Sequence, residues 1–203
     1  MKRQTVFIVD DDAAVCDSIQ ELVESVGLRA ECYTSGQAFL DNYQTERPGC
    51  LVLDVRMAGM SGLALQEKLN AMGAEIPVIV VTGHADVPMA VHALKAGAVD
   101  FVQKPYRNQL LLDSINNALT MDAMARDSRD ESQAHERQLA TLTKREQEVL
   151  DKLLAGSISR QIARELGIST RTVEAHRQNL LRKLGVGSVK ELMLHPIAQQ
   201  KHN

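Results

Sequence analysis

Asp10, Asp11 and Asp12 follow one short apolar run, and Asp54 follows another. Thr82 closes a further run and Lys104 the last of them. In an open α/β sheet, ligands bind beyond the carboxyl ends of the strands, near the point where strand order reverses. The runs that end at Asp10 and Asp54 would flank that point, so Asp10, Asp11 and Asp54 are expected to converge. Three carboxylates so close repel one another and call for a cation. Hard oxygen donors in small number suit octahedral Mg²⁺, which keeps several of its waters. A hydroxyl from Thr82, a fixed cation from Lys104 and Mg²⁺ around one carboxylate make a receptor for a transferred phosphoryl group. Asp54 is then the nucleophile, because a carboxylate can attack phosphorus to give an aspartyl phosphate. Lys104-Pro105 invites a cis peptide, which would aim the lysine inward. Asp12 reads instead as the N-cap of the first helix.

The elements that must hold these residues are legible in the front half. Runs at 6–9, 51–53, 78–81 and 101–102 are apolar at successive positions, and a weaker run spans 28–33. That pattern marks strands buried on both faces, as in a parallel sheet. Helical spacing joins Val15, Ile19, Leu22, Val23 and Val26; a short pattern surrounds Phe39 and Leu40. Further helices are carried by Leu65 with Leu69, by Val87, Val91 and Leu94, and by Leu111, Leu112, Ile115 and Leu119. Five strand–helix units predict a doubly wound α/β domain with right-handed crossovers, spanning 1–121.

The 203 residues allow two modest domains, and charge separates them. Residues 1–121 hold 15 acidic and 9 basic side chains, whereas residues 141–203 hold 6 acidic and 11 basic ones. An acidic front and a basic back point to two modules with different partners. Residues 122–138 contain no Val, Ile or Leu and form the expected linker, helical or flexible. No apolar run is long enough to span a membrane, and the start MKRQTVFIVDDD lacks a signal-type apolar core. A cytoplasmic address with no membrane partner is expected. Cys16, Cys32 and Cys50, in apolar or helical patterns without CxxC spacing, read as buried thiols of a reducing compartment. Aromatics at 3% leave no stacking platform for single-stranded nucleic acid.

The back half, 139–203, reads as four helices at about 143–154, 159–166, 169–184 and 188–194. Thr143 with Glu146, and Ser188 with Glu191, have capping-box spacing; Ser159 and Ser169 look like plain N-caps. The stretch 159–173 has the shape of a helix-turn-helix, with Ala163 allowing close packing, Gly167 making the turn and Val173 closing the core. Val173, Leu180 and Leu184 share one helix face, while Arg171, Ala175, Gln178, Asn179 and Arg182 fall opposite. Short polar and basic side chains there suit base edges and phosphates of a major groove.

Val9-Asp10-Asp11, Leu53-Asp54, Val81-Thr82-Gly83 and Lys104-Pro105 resemble the receiver domain of two-component response regulators. Leu142-Thr143-Lys144-Arg145-Glu146 and Thr172-Val173-Glu174-Ala175-His176-Arg177 resemble the LuxR-type four-helix module. Together the halves are similar to the FixJ/NarL class of transcription regulators. The resemblance implies a flavodoxin-like sheet of strand order 2-1-3-4-5. It implies that Asp54 takes phosphate from a sensor histidine kinase, and that Asp11, Asp54 and the backbone carbonyl of Arg56 bind Mg²⁺ with help from Asp10. Thr82 and Lys104 would hold the phosphoryl oxygens, and Thr82 with Phe101 would form the switch. Glu174, Ala175, His176 and Gln178 would approach bases, while Arg171, Thr172, Arg182 and Lys183 would meet phosphates. Ala58 stands where such loops usually carry Pro, which leaves the acceptor chemistry untouched. Arg56 and His84, two residues beyond Asp54 and Thr82, are placed to influence phosphate lifetime.

The leading expectation is therefore a phosphorylation-activated DNA-binding regulator that forms a homodimer on double-stranded promoter DNA, with RNA polymerase as a further partner. It takes part in phosphotransfer and autodephosphorylation without being a dedicated enzyme. A phosphatase with an aspartyl nucleophile is disfavoured, because the second acid such enzymes carry two positions on is here Arg56. A receiver that senses a partner without phosphorylation is the other rival, and the complete acceptor set argues against it.

Overall fold

Side chains alternate across a strand, so strands apolar at every position demand cover on both faces. The computed structural model, which describes residues 3–83 and 87–195, supplies that cover. His84, and Asp86 at the expected start of the fourth helix, lie outside the described residues. The chain forms two compact units, Met1–Arg126 and Asp127–Asn203.

The first unit runs β1 (Thr5–Val9), α1 (Ala13–Ser25), β2 (Arg29–Tyr33), α2 (Gly36–Asn42), β3 (Gly49–Asp54), α3 (Gly62–Ala71), β4 (Val78–Thr82), α4 (Val87–Lys95), β5 (Asp100–Gln103) and the start of α5 (Asn108–Ala140). The five strands are parallel in the order β2-β1-β3-β4-β5, the flavodoxin-like topology. Val6, Ile8, Cys50, Val52, Ile79 and Val81 pack on one face with α1 and α5. Phe7, Val9, Leu51, Leu53, Val78 and Val80 pack on the other with α2, α3 and α4. All three cysteines are free thiols, and burial pushes Cys50 up to about 12.

α4 forms where its periodicity predicts, but the residues that carried the pattern do not face the core. Val87, Val91 and Leu94 are 76%, 43% and 49% exposed, while Ala93 is fully buried. A small residue faces inward because α3 approaches closely there. The Gln66 amide donates to the carbonyls of Ala93 and Ala96, both at 3.2 Å, and Asn70 donates to Ala96 O at 2.7 Å.

The first unit ends at Arg126 for a specific reason. Asp122, only 3% exposed, accepts from Gly49 N at 2.8 Å and from Arg126 Nε at 2.8 Å. Arg126 in turn donates to the carbonyls of Thr45 and Arg47 at 3.1 and 2.9 Å. Within the stretch expected as linker, Asp122 is thus fastened to the strand that ends at Asp54, and Arg126 to the loop that precedes that strand. The stretch 122–138 is helical throughout.

The second unit holds α6 (Lys144–Leu154), α7 (Ser159–Leu166), α8 (Thr170–Leu184) and α9 (Val189–Leu194). Val149, Leu150, Ile162, Val173, Leu180 and Leu192 are fully buried at its centre. Thr143 and Glu146 form the expected capping box, and Ser169 caps α8 through Thr172 N. Ser188 caps α9, but Glu191 reaches one residue further out, to Gly187 N at 2.8 Å. Ser159 is not a cap. It is the first residue of α7, and Ile158 holds the cap position. Ile158 has no acceptor, so Gln161 Oε1 takes its N–H at 3.0 Å instead. Gly167, at φ +65°, makes the turn into α8.

Candidate functional site

The pocket begins at a close approach. Gly62 N donates to Val55 O at 2.9 Å, and a Cβ on Gly62 would lie 2.1 Å from Asp54 O. Only glycine lets the loop that follows Asp54 fold back so tightly. Asp12 caps α1 by accepting from Ala14 N, and its own N–H donates to Asp10 Oδ1 at 3.0 Å.

Asp10 is 3% and Asp54 7% exposed, and one cation joins them. Lys104 Nζ donates to Asp10 Oδ2 at 2.6 Å and to Asp54 Oδ1 at 2.9 Å. Burial opposes the ammonium's charge, but the two carboxylates outweigh it and hold the Lys104 pKa above its ordinary range. The Lys104–Pro105 bond is cis, and Lys104 N donates to Thr82 O at 2.8 Å. The second oxygen of Asp54 accepts from Arg56 N at 2.6 Å. Asp11, which is exposed, accepts from Ala58 N at 2.8 Å, across the mouth of the pocket.

Thr82 is fully buried at the end of β4. It pairs with Gln103 in register, which puts Phe101, paired with Val80, on the same face of the sheet. That face is the α4 side, where Phe101 packs half-buried against the core. Thr82 and Phe101 are therefore placed together, two residues apart on adjoining strands.

Among the described residues no three His, Cys, Asp or Glu side chains form a preformed metal cage. Lys104 stands between Asp10 and Asp54, and Asp11 turns to the loop. The donor set nevertheless fits Mg²⁺. It consists of hard oxygens, and three carboxylates against one ammonium leave an excess of negative charge that a divalent cation would balance. Mg²⁺ keeps waters and needs no all-protein cage.

In the second unit, α8 sorts its polar residues into two groups. Arg171, Thr172, Ala175, Gln178, Asn179 and Arg182 are exposed on the side away from Val173, Leu180 and Leu184. His176 is half-buried at the flank of that stripe. Glu174 and Lys183 are bound within the protein. Glu174 Oε1 accepts from Ser159 Oγ and from Arg177 Nη1. Lys183 Nζ donates to Glu146 Oε2 at 2.7 Å and to Thr141 O at 2.9 Å. Glu146 is 4% exposed; burial disfavours its charge, but Lys183 and the Thr143 cap outweigh that and hold its pKa below the carboxylate range.

Sequence reasoning missed Asp122, Arg126, Gln66 and Asn70. The Asp122–Arg126 spacing of four residues on a helix was a signal for the pair. Nothing in the sequence names Gly49 or Ala96 as the groups they hold.

An acidic strand-end pocket bridged by one lysine, on a flavodoxin-like sheet followed by a helix-turn-helix module, defines a two-component response regulator with a DNA-binding output. The comparisons agree for both halves. Residues 6–116 match the response regulator receiver domain, and residues 140–195 match the bacterial regulatory proteins of the luxR family. The transcriptional regulatory protein TdiR of Thauera aromatica is 48% identical over 189 residues, covering 93% of this chain and 83% of that protein. FixJ of Azorhizobium caulinodans is 43% identical over 188 residues, covering 93% and 89%. The solved structure of the response regulator StyR superposes with a TM-score of 0.91 at 42% identity, over 98% of this chain and 99% of that one. The chain belongs to the response regulators that join a receiver domain to a LuxR-type DNA-binding domain, and it regulates transcription. Among the described residues no helix is long and apolar enough to cross a membrane.

Proposed function

We propose that Asp54 is the phosphoacceptor and that its phosphorylation drives dimerisation and sequence-specific DNA binding. The observation that carries this reading is Lys104 bridging Asp10 and Asp54 beside the buried Thr82. An oxygen of Asp54 attacks the phosphorus of a phosphohistidine on the sensor kinase, the P–N bond breaks, and the departing imidazole nitrogen keeps the electron pair and takes up a proton. The product is an acyl phosphate, which later hydrolyses back to the carboxylate. Lys104 releases Asp54 Oδ1 to meet the incoming phosphoryl oxygens, and Thr82 supplies a hydroxyl to them. Mg²⁺, held by Asp11, Asp54 and the Arg56 carbonyl with help from Asp10, would neutralise charge on the transferring group.

Thr82 moving toward the phosphate vacates the α4 side of β4, and Phe101, on the same face, follows inward. This biases a two-state equilibrium by a local charge. The exposed stripe of Val87, Val91 and Leu94 on α4 supports that face as the dimer surface. Two copies of α8 then meet paired half-sites. Arg171, Thr172 and Arg182 meet phosphates; Ala175, His176 and Gln178 approach bases. The kinase, promoter DNA and RNA polymerase are partners of a cytoplasmic protein.

Two measurements on wild type and Asp54→Asn test this. Mg²⁺-dependent labelling by acetyl phosphate should appear in wild type and be absent in the variant. Light scattering behind size exclusion should show a monomer becoming a dimer with beryllofluoride and Mg²⁺, in wild type alone. Equal labelling of both proteins sinks the assignment of Asp54. An unchanged mass in wild type with beryllofluoride bound sinks phospho-dimerisation.

A further inference from the structure

Ser159 and Glu174 lie on the two helices of the helix-turn-helix, and Ser159 does not cap α7 as its position in sequence predicts. Ser159 opens α7 without capping it, and its hydroxyl donates across the turn to Glu174 Oε1 at 2.5 Å. Arg177, three residues along α8, donates to the same oxygen at 3.2 Å. All three residues are half-buried. At about 100° per residue, Glu174 lies about 80° around the helix from Arg182. It therefore stands at the edge of the exposed stripe, about 40° from Gln178, and what ties it toward α7 is its pair of bonds to Ser159 and Arg177.

We propose that Glu174 is a positioning residue, fastened by Ser159 and Arg177, that sets the angle between α7 and the recognition helix and reads no base. The proposal rests on the reading that α8 enters a DNA groove. In such a groove a carboxylate faces the phosphates' negative field and finds its base partner chiefly in the cytosine amino group. Reaching that partner would give up two hydrogen bonds to a charged acceptor, the stronger kind. Held where it is, Glu174 ties the helix that reads bases to the helix that precedes it. A change in that angle displaces the whole outward stripe, and every base and phosphate contact weakens together.

The test uses the full chain as wild type, Ser159→Ala, Glu174→Ala, Glu174→Gln and the Ser159→Ala/Glu174→Ala double variant. Each is taken through selection from random-sequence duplexes, and hydrogen exchange over 157–184 is measured in parallel. At a temperature where all remain folded, Ser159→Ala and Glu174→Ala should each weaken DNA binding by roughly tenfold, the order expected for losing a hydrogen bond to a charged group. The preferred base should stay the same at every position, and the double variant should be no weaker than Glu174→Ala. Glu174→Gln keeps an acceptor for both donors and should restore most of the affinity. A changed base preference confined to the Glu174 variants overturns the proposal, as does a double variant whose loss equals the sum of the two singles. Should wild type select no sequence, the DNA reading fails. The exchange arm then decides alone: a loss of protection shared by both singles and the double supports the strut, and independent losses overturn it. Where Glu174→Ala does not fold, Ser159→Ala and Glu174→Gln carry the same comparison.

Discussion

The acidic pocket draws Asp10, Asp54 and Lys104 from the ends of three strands, with Lys104 lying 94 positions after Asp10 in the chain. The outward stripe of α8 draws Arg171, Ala175, Gln178 and Arg182 from one helix. In the pocket each group depends on the others, because buried carboxylates need the lysine and the lysine's charge needs them. On the helix each exposed side chain is placed by the backbone, and Arg182 finds its partner three residues away, donating to Asn179 Oδ1 at 3.2 Å. The first arrangement should respond to substitution as a unit, the second piece by piece.

The sharpest break comes at Lys104. Lys104→Ala leaves two nearly buried carboxylates facing each other, and removing one side of a buried charge pair costs about 3 kcal/mol. Urea unfolding of the first unit without Mg²⁺ should show that loss, and added Mg²⁺ should recover part of it. A midpoint equal to wild type would mean that the lysine bridge does not hold the pocket.

Glu146 puts a buried ion pair inside the DNA-binding half, and so tests whether burial or location makes the difference. Its pKa is lowered by Lys183 and the cap of α6 despite burial. A carboxylate lowered on folding contributes stability that is complete above the ordinary carboxylate range and fades as pH falls through the lowered value. Wild type should therefore lose stability of the second unit on acidification below the ordinary range. Glu146→Gln should start about 2 kcal/mol lower at neutral pH and change less across that window. Thermal melts at a series of pH values read both.

The smallest effects belong to the stripe. Arg171→Ala and Arg182→Ala should each reduce the salt slope of DNA binding by about 1, with a few-fold weaker affinity for every sequence. The double variant should show the sum. A synergistic loss would make the stripe a coupled unit like the pocket and erase the contrast.

Much of the fold is legible in the sequence. Apolar runs located all five strands, the edge strands β2 and β5 being only partly buried, and the chemistry of the terminal residues located Asp10, Asp54 and Lys104. Thr143, Ser169 and Asp12 cap the helices their positions indicate. These are local signals, because strand period, cap chemistry and the residue after an apolar run all lie within a few positions of one another. α4 shows what such signals leave open. Periodicity found the helix, yet Val87, Val91 and Leu94 face outward, since the same spacing serves a core and a surface stripe equally.

What the sequence determined by itself was the set of elements, the residues at their ends and the face on which α8 carries its exposed polar groups. Propensity and periodicity act over a turn or a strand, and the chain needs no distant neighbour to express them. Only the tertiary structure decided which charged group each functional side chain meets. Lys183 could have faced solvent and instead holds Glu146; Ser159 could have capped α7 and instead holds Glu174; Asp122 could have begun a free linker and instead holds Gly49. Each choice turns on a partner that is distant in sequence. Packing of the whole unit brings that partner within hydrogen-bonding reach, and burial makes leaving it unpaired costly.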